Sequence, residues 1–179
     1  MLFETTLIPG VTIIEEERYP DERGYFARVY CAGEFAEQGL ELPMSQAAIS
    51  HTARKATLRG LHYIPEEVGE AKLVRCVRGS IFDCAADMRR GSPTFGRHVA
   101  VELSAERGNA LYLPRGVAHG FLTLEDDCDI LYQFSRAYRP GIELGIRWDD
   151  PDLAIDWPMP PALLSQRDAD LPLLAEAAR

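Results

Sequence analysis

Between residues 72 and 134 the chain repeats one pattern: a short apolar, β-branched run, then a break of Gly, Pro, Asn or Asp. The runs are Lys72–Val77, Ile81–Cys84, His98–Leu103, Ala110–Leu113, Gly120–Leu124 and Asp129–Phe134, with Val11–Glu15 ahead of them. Many short strands at regular spacing predict a sandwich or barrel. Arg78-Gly79-Ser80, between two such runs, carries a hairpin signal. Helical pattern is confined to about Gly33–Gln38 and to the tail Leu171–Ala178, with Pro172 in a first turn. The expected fold is all-β with short peripheral and C-terminal helices.

Alternate strand residues share a face. Lys72 therefore sides with Val74 and Cys76, and Tyr132 with Ile130 and Phe134. A lysine on an apolar face is costly unless it is paired, lines a cavity or snorkels from a strand end.

At 179 residues the chain fits a single domain, 1–179, with enough material for a large core. Its 19 basic and 28 acidic side chains give a net charge of −9. Such a balance argues against nucleic acid as a partner, since phosphates need a basic footprint. It leaves room for a local basic pocket that holds one small phosphorylated ligand. No apolar run approaches the ~20 residues of a membrane span, and MLFETTLIPG lacks the pattern of a signal peptide. The four cysteines, Cys31, Cys76, Cys84 and Cys128, show no C-x-x-C spacing. They read as buried thiols of a cytoplasmic protein.

The segment from Gly108 to His119 has the form G-x5-P-x-G-x2-H. It resembles the second motif of the cupin superfamily, a double-stranded β-helix or jelly roll: a strand, a Pro-Gly turn, then a strand pointing a histidine into the barrel. The first cupin motif normally holds His-x-His and a Glu. Here that stretch is Leu58-Arg59-Gly60-Leu61-His62-Tyr63-Ile64, without the second His. A transition metal wants three or four ligands, so no metal is expected.

Further stretches follow in order: Asp21-Glu22-Arg23-Gly24-Tyr25-Phe26, Ala71-Lys72-Leu73-Val74, Asp87-Met88-Arg89 with Ser92-Pro93-Thr94-Phe95-Gly96, Ala118-His119-Gly120-Phe121, Tyr138-Arg139-Pro140, Trp148-Asp149-Asp150-Pro151 and Ser165-Gln166-Arg167-Asp168. Together, from about residue 8 to 174, they resemble the dTDP-4-dehydrorhamnose 3,5-epimerase family. That family acts on a nucleotide-linked 4-keto-6-deoxyhexose and uses no cofactor. The C4 carbonyl acidifies C3–H and C5–H; a base removes such a proton, and an acid on the opposite face returns one.

The resemblance implies a role for each matching residue. His62 is the base, Asp168 the carboxylate that orients it, Tyr132 the acid and Lys72 the cation near the sugar ketone. His119 contacts substrate. Arg23, Arg59 and Arg167 surround the diphosphate, with Arg167 standing where the family often has Lys. Tyr138 stacks on the base, Gln46 is a nucleotide-binding amide and Glu143 lies on the substrate side. The resemblance also implies a homodimer with exchanged N-terminal strands, in which Arg23, Phe26 and Arg28 reach the neighbouring site.

Three places depart from the family. Its usual Gln-Asp/Glu-Asn-x-Ser is here Gln46-Ala47-Ala48-Ile49-Ser50, its usual Glu is Arg28, and its His-Tyr-Gln is His62-Tyr63-Ile64. A guanidinium only donates hydrogen bonds, which suits the N3 acceptor of cytosine better than thymine N3–H. Arg28 thus marks a different nucleobase such as cytosine, a differently placed sugar nucleotide, or an ordinary pair with a nearby acid or phosphate. Alternatives within the chemistry are inversion at C3, at C5 or at both. A sugar-nucleotide-binding cupin without catalysis and a metal-dependent cupin are the readings from other classes.

Overall fold

The computed structural model describes residues 1–177. Fourteen strands and three short helices follow one another along these residues. The strands are β1 (Leu2–Thr5), β2 (Thr12–Glu15), β3 (Arg18–Asp21), β4 (Gly24–Ala27), β5 (Gln46–Thr52), β6 (Thr57–Tyr63), β7 (Lys72–Arg78), β8 (Ser80–Asp87), β9 (His98–Ser104), β10 (Ala110–Leu113), β11 (Val117–Thr123), β12 (Cys128–Phe134), β13 (Leu144–Gly145) and β14 (Leu163–Leu164). The helices are α1 (Ala32–Glu37), α2 (Gln166–Ala169) and α3 (Leu174–Ala177).

Two sheets face each other in a jelly roll. One runs β1-β2-β10-β7-β12-β5; the other runs β13-β6-β11-β8-β9, with β14 beside β6. Between them lies the main core, with Val74, Cys76, Leu111, Leu113 and Ile130 from the first sheet against Ile81, Ala85, Leu103, Val117 and Phe121 from the second. The outer faces are covered as well. Phe35 of α1, Leu40 and Leu42 cap the first sheet over Ile14, Leu73, Ala110 and Tyr112. Ile146, Leu153, Trp148 and Trp157 cap the second over Leu61, Cys84 and Ala118. Strands covered on both faces are apolar at nearly every position, as β11 shows by being buried throughout.

The expected hairpin at Arg78-Gly79-Ser80 is corrected by the topology. β7 pairs with β10 and β12, whereas β8 pairs with β11 and β9. The turn is a corner that carries the chain from one sheet to the other. Gly79 sits there at φ +77°, and an added Cβ would lie 2.7 Å from Cys128 Sγ. The local signal for a tight turn was sound, but pairing depends on partners distant in sequence. The tail is also corrected: helix α3 begins at Leu174, beyond Pro172, and the expected end at Ala178 lies outside the described residues. β3 and β4 form a two-stranded sheet of their own. β1, β5 and β6 carried no sequence expectation, being short or interrupted by polar residues.

Two of the motif stretches are structural. Asp87 gathers Arg89, Ser92 Oγ at 2.5 Å and Thr94 Oγ1 at 2.7 Å around one carboxylate. Asp150 accepts from the backbone N–H of Asp152, Leu153 and Leu174, tying the C-terminal segment to the body.

Candidate active site

β6 and β11 run antiparallel with His62 opposite His119, so both imidazoles leave the second sheet side by side. β7 and β12 place Lys72 opposite Phe134 and Tyr132 opposite Val74 on the first sheet. These four polar side chains line one cavity of about 260 Å³. Its two sheets thus supply different chemistry: imidazoles from one, a phenol and an ammonium from the other. The strand parity of Lys72 and Tyr132 is as expected, and the lysine is the cavity-lining kind.

His62 Nε2 lies 2.7 Å from Asp168 Oδ1. The second oxygen of Asp168 accepts the Gly60 N–H at 3.2 Å. Ser165 caps α2 by accepting the Asp168 N–H at 3.1 Å, which fixes the aspartate's backbone. Burial pushes Asp168 upward, but hydrogen bonds from His62 and Gly60 outweigh it and hold its pKa below the usual carboxylate range. With Nε2–H committed to a carboxylate, the free lone pair of neutral His62 is on Nδ1. Gly60 is required by space: an added Cβ would lie 2.6 Å from the His119 carbonyl oxygen.

His119 has its own carboxylate. Its Nε2 lies 2.6 Å from Asp83 Oδ1. Sequence reasoning missed Asp83, although its parity with Ile81 and Ala85 on β8 marks it as inward-facing. The Tyr132 ring meets His119 edge-on at 5.9 Å and stacks on Phe134 at 5.8 Å. Burial pushes the Tyr132 hydroxyl well above its ordinary range, so the phenol stays protonated. Burial likewise lowers Lys72, partly offset by Glu70 and Glu143. Among the described residues, no cluster of three or more His, Cys, Asp or Glu side chains is arranged to hold a metal ion.

Gln46, Arg59, Tyr138 and Glu143 line the same cavity. Gln46 Oε1 accepts the Tyr138 N–H at 3.0 Å, while Tyr138 leaves its ring 73% exposed. A second cleft shares Arg59, His62, Tyr132 and Glu143 with the first and adds Ser165, Arg167 and Asp168. Arg167 forms an ion pair with Glu143 there. Glu70 and Arg136 also line the first cavity and carried no sequence signal, whereas Phe121 and Phe134, which line it too, stood in a quoted motif and on the expected strand face. Ile64, one of the departures, also lines it.

Arg23, Phe26 and Arg28 line neither cleft of their own chain. Arg23 pairs with Asp21 on the surface, and Phe26 is 69% exposed. Arg28 Nη1 donates to Glu34 at 2.7 Å, the ordinary ion pair rather than a contact to a ligand site of this chain.

Comparison with known proteins points one way. The family described as dTDP-4-dehydrorhamnose 3,5-epimerase matches residues 5–176. A curated relative of that name from Sinorhizobium fredii is 41% identical over 177 residues, covering 98% of this chain and 91% of its own. The crystal structure of a 4-keto-6-deoxy sugar epimerase from Streptomyces spheroides superposes with a TM-score of 0.94 at 41% identity, over 99% of this chain and 89% of that one. An epimerase from Legionella pneumophila, solved in complex with dTDP-4-keto-L-rhamnose, gives 0.90 at 40% identity, over 97% and 93%.

Proposed function

Because the chain belongs to the dTDP-4-dehydrorhamnose 3,5-epimerase family and is a carbohydrate epimerase of that type, we propose that it inverts C3, C5 or both in a dTDP-linked 4-keto-6-deoxyhexose by proton transfer between two opposed walls of the cavity. The carrying observation is the division of labour between sheets: His62 on one, Tyr132 and Lys72 on the other, around one space.

His62 Nδ1 removes the proton next to the ketone. The C–H electron pair becomes a C=C bond as the carbonyl pair moves onto O4, giving an enolate. The Lys72 ammonium stabilises that oxygen. Tyr132 then returns a proton to the same carbon from the opposite face, the carbonyl re-forms, and the tyrosinate and imidazolium exchange protons with solvent. Asp168 holds His62 in the tautomer that leaves Nδ1 free and stabilises its charged form, as carboxylates do in other dyads. His119 contacts the sugar. Arg59 and Arg167 bind the diphosphate, for which planar, always charged guanidinium groups are suited. Gln46, Tyr138 and Glu143 hold the nucleotide side.

The same reading takes the protein as a cytoplasmic homodimer that exchanges N-terminal strands. The β3–β4 hairpin stands apart from both sheets and exposes Tyr19, Tyr25 and Phe26 at 61%, 54% and 69%. Arg23, Phe26 and Arg28 on and beside it are free of their own chain's clefts and available to a neighbour's.

Proton NMR in D2O with dTDP-4-keto-6-deoxyglucose tests the chemistry. Deuterium is expected at C3, C5 or both, and at neither in His62→Ala. Tyr132→Phe should keep exchange at one centre better than net inversion, because abstraction does not require return from the other face. Absence of wash-in by the wild-type protein would overturn the reading. CDP- and GDP-linked analogues, run alongside, rank the nucleobases and show whether Arg28 alters the choice.

A further inference from the structure

Lys72 is one of only two lysines in the chain, the other being the exposed Lys55; arginine supplies every other basic side chain. Arginine keeps its charge in any environment, whereas a buried ammonium holds its proton only if its surroundings favour it. The surroundings here centre on an acid with no assigned role. Glu70 Oε1 lies 3.8 Å from Lys72 Nζ, with the two side chains only 10% and 12% exposed. Both face the cavity.

The backbone presents this acid deliberately. Residues 65–69 turn tightly, with Val68 N–H donating to the Pro65 carbonyl at 3.1 Å. A Cβ on Gly69 would lie 2.8 Å from that same carbonyl oxygen, so only glycine fits the turn. Ala71, between the acid and the lysine, is clamped at both ends by Ser135: its N–H donates to Ser135 Oγ at 2.8 Å, and its carbonyl accepts Ser135 N–H at 3.0 Å. At 3.8 Å the pair is beyond good hydrogen-bond distance. The ammonium therefore has a counter-charge while its N–H donors stay available to a ligand oxygen.

We propose that Glu70 is a positioning residue: it acts through Lys72, as the carboxylate that holds the ammonium charged and aimed into the cavity. The role of Lys72 at the sugar oxygen rests on the function proposed above; the coupling of Glu70 to Lys72 does not. Other charged groups face the pair. Glu143 acts on both members, and Arg136 acts on Glu70. Across the cavity stand Arg59 and His62 from β6 and His119 from β11; Tyr132 from β12 shares the lysine's sheet, and Arg139 lies beyond the end of that strand. Of the acids, Glu70 is the one nearest in sequence and held by the clamp, and it has the larger effect on Lys72. Burial raises Glu70 itself, and Lys72 counters that rise.

The experiment uses protein labelled with 13C at lysine Cε, which gives two resonances; Lys55→Arg assigns them. In Glu70→Gln, the Lys72 signal is expected to titrate at a pH lower by roughly one unit or more, the size of effect an opposite charge has at this range. Lys55 should not move. The alkaline limb of kcat/KM should shift to lower pH with it, and Glu70→Asp should recover most of the shift. An unchanged Lys72 titration in Glu70→Gln overturns the proposal. If Glu70→Gln does not fold, Glu70→Ala takes its place: a Lys72 titration at lower pH supports the proposal, and an unchanged one overturns it. If the wild type turns over no sugar nucleotide, the functional reading fails, while the NMR titration still decides the coupling.

Discussion

Asp83 turns one oxygen to His119 Nε2 at 2.6 Å and buries the other with no hydrogen-bond partner. Buried polar atoms are rarely left so. Burial holds the Asp83 carboxyl above its ordinary range, with His119 opposing the rise. The folded protein then keeps a proton there over a range in which the unfolded chain has released it. This group makes stability fall as pH rises through that range. Asp83→Asn removes the titration. Urea unfolding of both proteins from pH 4 to 7 should show the wild type losing stability relative to the variant as pH rises. A constant difference across the series would refute this assignment.

Asp168→Asn tests the other dyad. An amide can still accept the Gly60 N–H, but it carries no charge to stabilise imidazolium and can present the wrong group to Nε2. The expected loss is on the order of 10²–10⁴ in kcat, with KM changed far less, as expected of a group acting through the base. Circular dichroism should be unchanged. A loss confined to KM would place Asp168 on the substrate-binding side instead.

Asp87 predicts an effect on stability with no effect on chemistry. Burial raises it, but bonds from Arg89, Ser92 and Thr94 outweigh that and bring it from 3.8 down to about 2. Its contribution is complete above the ordinary carboxylate range and disappears as pH falls through about 2. Asp87→Asn should cost roughly 2 kcal/mol at pH 7. Urea titrations should show the gap narrowing from pH 7 toward pH 3, with kcat per folded molecule unchanged. A gap that is independent of pH would mean that packing, not charge, holds this turn.

Much of the site could be read from the residues because its parts lie in compact motifs. The Pro114–Gly116 turn and the strand after it deliver His119 as their spacing suggests, and alternate positions on β7 and β12 place Lys72 and Tyr132 on the inner face. Asp83 was harder to see. It stands in the apolar run Ser80-Ile81-Phe82-Asp83-Cys84, where only its pairing with a histidine 36 residues away gives it meaning. Glu70 had no signal at all, since a glutamate in a Pro- and Gly-containing loop is most often a solvated charge.

Sequence by itself determined the strand-rich architecture, the family and the identity of the chemical groups, because these depend on local pattern and on the order of short motifs. Tertiary structure decided which groups meet. The turn at Gly79 changes sheets instead of closing a hairpin, β10 lies between β2 and β7, and Asp168 reaches back 106 residues to His62. Strand pairing and cavity walls arise from contacts between distant segments, whose hydrogen bonds and burial are satisfied only when the two sheets close on each other.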